Sequence, residues 1–308
     1  LIKKDGFEID AEIYMLLEGE TPETMAKSTG LGLLEFPSVF NQLKPDIVIT
    51  VGDRFETMAT TLAAAYMNIP IAHTMGGEVT GTIDESIRHA VTKFAHIHFP
   101  ASIDAKNRIL KLGEIGKNIH LVGCPRIDLV AEILKSKKSN INNIFSQGVG
   151  SNINFNKPFV LVSQHPVTTE YESSEKCMME TLMAIEQINM QTIVLWPNSD
   201  AGSDNISKAI RKWREQNNFK NRIHFFKNLS INTYVHLMNK TSVLLGNSSS
   251  GIREGAFIGT PVVNIGSRQD SRERGKNVID VQHSKSEIIK AVKKQIRHGK
   301  YKSENIYG

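Results

Sequence analysis

Cysteine is scarce in this chain of 308 residues: Cys124 and Cys177 are the only two, far apart and in no C-x-x-C or metal-ligand spacing. Neither a disulfide framework nor a zinc site finds support, and a reducing compartment is the simple reading. Long apolar runs are missing as well. No stretch approaches the roughly 18 residues that a membrane-spanning helix needs, and no basic, apolar, small-residue leader opens the chain. A cytoplasmic protein with no membrane association is therefore expected. Concentrated basic charge is a third absence. The formal charge is +5, yet apart from short runs such as Lys135 to Lys138 the basic residues are scattered, so nucleic acid is not implied as a partner. The mild excess would still attract a polyanionic small molecule.

What is present is enough apolar sequence, 40% of 308 residues, to bury two cores, so two domains are expected. The chain opens Leu1-Ile2-Lys3-Lys4 without a methionine, and its first clear strand arrives only at Asp46, which predicts a truncated N-terminus. From there short apolar runs at 46–51, 69–74, 97–100 and 119–122 alternate with helical spacing, the pattern of parallel strands with crossover helices. The Ser-, Asn-, Gly- and Lys-rich stretch 135–157 reads as a linker, which predicts one domain over 1–150 and another over 151–308. A second series follows at 159–163, 192–196, 222–226, 242–245 and 261–265, apolar on both faces as strands covered by helices on each side must be. In such a sheet functional residues belong at the carboxyl ends of strands.

That rule selects a small set of positions. The first strand ends Gly52-Asp53-Arg54-Phe55-Glu56, which could equally be a tight turn with acids in a helix's first turn. The next runs through Met75-Gly76-Gly77-Glu78 into Thr82-Ile83-Asp84-Glu85 and Arg88-His89, with Thr82 or Asp84 as a possible helix cap. Carboxylates crowded at adjacent strand ends would push their pKa values apart and supply one acid and one base. In the second series, His165 precedes a Pro-shaped turn and could donate to a phosphate or act as an acid. Asn198 sits in an Asn/Asp turn and could hold a sugar hydroxyl or phosphate. The stretch Gly246-Asn247-Ser248-Ser249-Ser250-Gly251-Ile252-Arg253-Glu254 follows a strand and opens a helix, where amides and hydroxyls suit a diphosphate. It is not a Walker A loop, since no Gly-Lys-Ser/Thr ends it. Glu254 could hold ribose hydroxyls or pair with Arg253 or Arg274, and Arg268 and Arg272 offer forked donors.

These motifs, together with Gln-His-Pro-Val-Thr-Thr and Pro-Asn-Ser-Asp-Ala-Gly-Ser, closely resemble the hydrolysing UDP-N-acetylglucosamine 2-epimerases of sialic acid biosynthesis, in order and spacing over nearly the whole chain. The resemblance implies an α/β fold of GT-B type: two Rossmann-like, doubly wound domains with a cleft between them, the second binding UDP. It implies a UDP-sugar substrate, no cofactor, a homo-oligomer, and release of UDP with N-acetylmannosamine. On that footing His165, Asn198, Ser248, Ser249, Glu254 and Arg268 match UDP-binding positions, and Asp53 and Asp84 match acid/base positions. Several members carry a further Glu where this chain has Met75, which makes Glu78 a substitute candidate. The family's opening strand, its Gly-Thr-Arg loop and its closing helix lie outside this stretch. A relative acting on a UDP-2,4-diacetamido-trideoxyhexose shares the motifs and is the main alternative. A non-hydrolysing epimerase, a GT-B glycosyltransferase and a catalytically silent nucleotide-sugar sensor complete the set.

Overall fold

Thr21 starts the first long helix by closing a capping box with Thr24, and Pro22 takes the first helical position, where its missing N–H is no loss. The computed structural model describes residues 2–19, 21–136, 141–198, 200–216 and 222–308, which fall into two compact units. The first holds residues 1–78 and 83–122, the second 79–82 and 123–308.

In the first unit, helix α1 (Pro22–Leu43) leads into β1 (Val48–Val51), α2 (Phe55–Tyr66), β2 (Ile71–Thr74), α3 (Ile83–Phe94), β3 (Ile97–Phe99) and α4 (Ile103–Lys111). The strands make a parallel sheet in the order β1-β2-β3. Phe40, Val48, Ala63, Ala64 and Ile71 form its core. The run 119–122, expected as a fourth strand, pairs alongside β3 through the bridge of Ile119 with His98 without becoming a full strand. The His120 and Val122 amides still donate to the His98 and Pro100 carbonyls, at 2.8 and 3.3 Å, while Leu121 and Val122 are exposed.

The second unit contains α5 (Pro125–Lys135), β4 (Val149–Gly150), β5 (Phe159–Ser163), α6 (Ser174–Ile188), β6 (Gln191–Leu195), α7 (Ser203–Gln216), β7 (Ile223–Phe226), α8 (Ile231–Lys240), β8 (Val243–Gly246), α9 (Ser249–Ile258), β9 (Val262–Ile265), β10 (Val278–Val281) and α10 (Lys285–His298). Its sheet runs β10-β9-β8-β5-β6-β7-β4, all parallel except the two-residue β4. Alternation along β5 explains the layering. Val160 and Val162 face a cluster with Met178, Leu182, Ile210, Trp213 and Val292, whereas Phe159 and Leu161 face one with Val130, Val235, Leu237 and Ile258. Helices therefore cover both faces, as the uninterrupted apolar strands require.

The sequence-based boundary at 150 differs from the observed division at Val122 and Gly123. The apolar stripe of α5, Ile127, Val130 and Ile133, is buried, and Val130 and Ile133 join the second unit's core together with Ile141, Ile144 and Ile153. A segment whose polar composition suggests a linker thus has its isoleucines packed; residues 137–140 of that segment lie outside the described ones. Strand β10 escapes the apolar-run pattern because Asp280 interrupts it and the strand is only half-buried.

Strand β5 pairs with β6 on one side and β8 on the other, so chain order reverses there. Ligands of open α/β sheets lie beyond the carboxyl ends of strands at this kind of switch point. Gly246, the last residue of β8, has φ +133° and leaves only 2.1 Å between an added Cβ and the Ser163 carbonyl oxygen. Gly246→Ala is expected to lower stability by at least about 2 kcal/mol through strain and backbone separation, read as a drop in the urea midpoint at constant m.

Candidate functional site

Past the ends of β5 and β8 a side chain continues the ladder. The Asn247 N–H donates to the Ser163 carbonyl at 3.1 Å. Its side-chain Oδ1 accepts the His165 N–H at 2.7 Å and its Nδ2 donates to the His165 carbonyl at 2.9 Å. The Asn247 carbonyl in turn accepts Arg268 Nη1 at 3.2 Å and Gln269 Nε2 at 2.9 Å. One asparagine, 1% exposed, therefore registers three loops.

His165 is held in a defined state by this packing. Its Nδ1 accepts the Asn198 N–H at 3.1 Å. A backbone N–H can only donate, so the ring proton belongs on Nε2, whose neighbour is the Ser163 hydroxyl at 3.4 Å. Burial, reinforced by the Arg268 charge, pulls the imidazole down to about 3, which makes it a neutral Nε2–H donor at pH 7. Asn198 donates from Nδ2 to Asp200, and Arg268 Nη2 stands 3.8 Å from the same carboxylate.

Ser248 caps α9 by accepting the Ser250 N–H at 3.3 Å, and the helix's positive end opens beside it. Glu254 is 6% exposed. Its Oε2 has no hydrogen-bond partner among the described residues, although the Arg253 Nε lies 3.8 Å away. Arg253 also donates to Ser249 Oγ at 3.2 Å, while Arg274 pairs with Asp280 rather than Glu254. The segment Val79–Thr82 belongs with this group: the Gly81 N–H donates to the Arg268 carbonyl at 3.2 Å. A Cβ on Gly81 would stand 2.0 Å from the Ser267 carbonyl oxygen, so only glycine fits. His165, Asn198 and Arg268 are thus brought into one hydrogen-bonded group around Asn247, Ser248 follows Asn247 directly as the α9 cap, and Ser249 and Glu254 share Arg253 between them.

In the first unit the organiser is Arg88 on α3. It is 1% exposed and its Nη2 is paired with Asp53 in the turn after β1. Its Nη1 donates to the Glu78 carbonyl at 2.8 Å. Asp84 lies in the first turn of α3, inside the helix rather than at its cap, and four residues from Arg88, hence on the same helix face. Behind them His73 Nε2 contacts the Gly52 carbonyl at 2.8 Å and Nδ1 contacts Thr92 Oγ1 at 3.2 Å. Burial brings His73 down to about 4, so it is a neutral structural strut. Asp53, Glu78 and Arg88 are brought together; His89 is engaged instead by Glu85, at 3.9 Å.

The sequence matches the family of UDP-N-acetylglucosamine 2-epimerases over residues 1–308. It is 37% identical to the UDP-N,N'-diacetylbacillosamine 2-epimerase (hydrolyzing) of Legionella pneumophila, across 100% of this chain and 79% of that protein. The chain belongs to this epimerase family. Another relative, the UDP-N-acetylglucosamine 2-epimerase of Neisseria meningitidis serogroup B, is 27% identical over 92% of this chain and 72% of its own length. The crystal structure of a Neisseria meningitidis UDP-GlcNAc 2-epimerase bound to UDP-GlcNAc superposes with a TM-score of 0.78 at 20% identity, covering 95% of this chain and 80% of that one. The fold is thus the GT-B type α/β arrangement of Rossmann-like units expected for the family.

Within this epimerase-family chain, Met75, directly after β2, adopts φ +61°, uncommon for a residue with a side chain and concentrated at functional turns. Motifs alone give no role to Asn247, Asp200 or Gln269. An Asn directly after a strand-ending glycine was the available signal.

Two buried neutral histidines set a pH dependence. Unfolded, each takes up a proton near 6.5; folded, His73 does so only near 4 and His165 near 3. The stability they confer is complete above the unfolded value and is lost as pH falls. Each is expected to remove about 2 kcal/mol between pH 7 and pH 5. Urea unfolding at both pH values tests this, and His73→Gln should flatten the difference by about that amount.

Proposed function

We propose that this chain catalyses hydrolysing 2-epimerisation of a UDP-linked 2-acetamido sugar, with UDP-N,N'-diacetylbacillosamine as the substrate. The observation that carries the reaction is that each unit holds an arrangement whose chemistry complements the other's. One is a helix N-terminus ringed by Ser248, Ser249, Arg268 and a neutral His165 donor, with the buried Glu254 two turns in. The other is the carboxylate Asp53 held by buried Arg88, with Asp84 on the same helix face. The substrate reading is supported by the 37% identity to the diacetylbacillosamine enzyme against 27% to the N-acetylglucosamine enzyme.

The C2–H bond of a pyranose has no neighbouring carbonyl to acidify it, so simple deprotonation is too difficult. Elimination avoids this. A carboxylate of the Asp53 and Asp84 pair takes the C2 proton, those electrons form the C1–C2 double bond of a glycal, and the C1–O bond breaks with its pair leaving on UDP. Charge growing on the diphosphate is met by the α9 amides, Ser248, His165 Nε2–H and Arg268, already oriented before the bond breaks. Water then adds its oxygen to C1 while C2 is protonated from the opposite face, which inverts it. Asn198 and Glu254 hold polar groups of the nucleotide sugar, Glu254 the ribose hydroxyls. Glu78, buried with its carbonyl tied to Arg88, stabilises the turn that presents the pair.

Incubation in deuterated water followed by proton NMR tests the proposal. UDP-N,N'-diacetylbacillosamine should yield free UDP and the 2-epimeric diacetamido sugar with deuterium at C2. A UDP-linked epimer would replace hydrolysis with simple epimerisation, and preferential turnover of UDP-N-acetylglucosamine would shift the substrate. Asp53→Asn should lower kcat roughly 10²- to 10⁴-fold while leaving UDP affinity unchanged by calorimetry.

A further inference from the structure

Tyr234, on α8, belongs to none of the motifs discussed above, yet its hydroxyl ends inside the serine cluster at the start of α9. It lies 2.6 Å from Ser250 Oγ, and Ser250 Oγ lies 2.8 Å from Ser248 Oγ. Ser163 and Ser248 also act on the phenol as hydrogen-bonding neighbours, although burial dominates and pushes Tyr234 above the usual tyrosine range. The phenol therefore keeps its proton and is able to donate it. Ser163 in turn stands beside His165 Nε2 at 3.4 Å, so its hydroxyl lies between the phenol and the imidazole.

Serine hydroxyls rotate and can donate either way along such a chain. A diphosphate at the α9 N-terminus offers only acceptors, so Ser248 must turn its proton outward. Its lone pairs are then free to accept from the Ser250 N–H, at 3.3 Å, and from the Ser250 hydroxyl. Ser250, having donated, needs a donor of its own. From this geometry we infer that Tyr234 is a positioning residue: as terminal donor of a Tyr234-Ser250-Ser248 relay, it fixes the direction in which Ser248 presents its proton to the nucleotide's phosphates. The inference rests on the nucleotide reading of the α9 end, which the buried Oε2 of Glu254, without a hydrogen-bond partner among the described residues, supports independently.

The test compares UDP and uridine binding to the unaltered protein and to Y234F, S248A and the double variant, by calorimetry and ligand-observed NMR. Y234F keeps the ring and its packing. It should weaken UDP about three- to tenfold, the scale of one oriented hydrogen bond, leave uridine unchanged, and have no further effect once S248A is present. Equal UDP affinity in Y234F overturns the relay, as does a matching loss for uridine or full additivity with S248A, either of which would mark a merely structural role. Failure of the unaltered protein to bind UDP overturns the nucleotide reading and the relay with it.

Discussion

The second unit's candidate site depends on the Asn247 side chain pairing both ways with the His165 backbone. Strands β5 and β8 end at Ser163 and Gly246, and past that point nothing in a parallel sheet obliges the two loops to stay in register. A primary amide can imitate a peptide unit, offering one donor and one acceptor in a plane. Asn247 does so in a buried setting, where each bond is worth more than at the surface. Because the Asn247 carbonyl also gathers Arg268 and Gln269, the neutral imidazole, the helix cap and the forked cation share one reference point. Preorganisation of this kind is what electrostatic stabilisation of a leaving group needs.

The first unit solves a different problem, a cation taken out of water. An Arg almost wholly buried, as Arg88 is, is tolerated only where its fork is satisfied. The Asp53 carboxylate and the Glu78 carbonyl do this. The same bonds fix the turns after β1 and β2, so the arrangement that compensates the buried charge is also the one that aims the carboxylates. His73 adds rigidity underneath, neutral because burial makes its cation unfavourable.

Much of this was legible from residues alone, for identifiable reasons. Strands β5, β7, β8 and β9 are buried along their whole length, so they announce themselves as apolar runs, and the strand-end rule then points to His165 and Ser248. Asn247 could not be assigned a job because its partner is 82 positions away and the adjacency of β5 and β8 is a property of topology, not of local sequence. Arg88, one turn into its helix, reads equally as a group that orients the carboxylates and as a surface charge, and burial against Asp53 decides for the first. The boundary was misplaced because polar composition dominated 135–157, while the few isoleucines that anchor it are diluted among Asn and Ser. Tyr234 carried no signal, since a tyrosine on an amphipathic helix is normally core.

The placement of Val79–Thr82 with the second unit, while the residues on either side belong to the first, gives the chain an interleaved topology. The polypeptide passes from one unit to the other after Glu78, after Thr82 and again after Val122. No single cut can therefore yield both units whole. Separating the coding sequence at the last crossing would leave Arg268 without the Gly81 amide that its carbonyl now receives. Grafting the second unit whole would therefore mean carrying residues 79–82 along with 123–308.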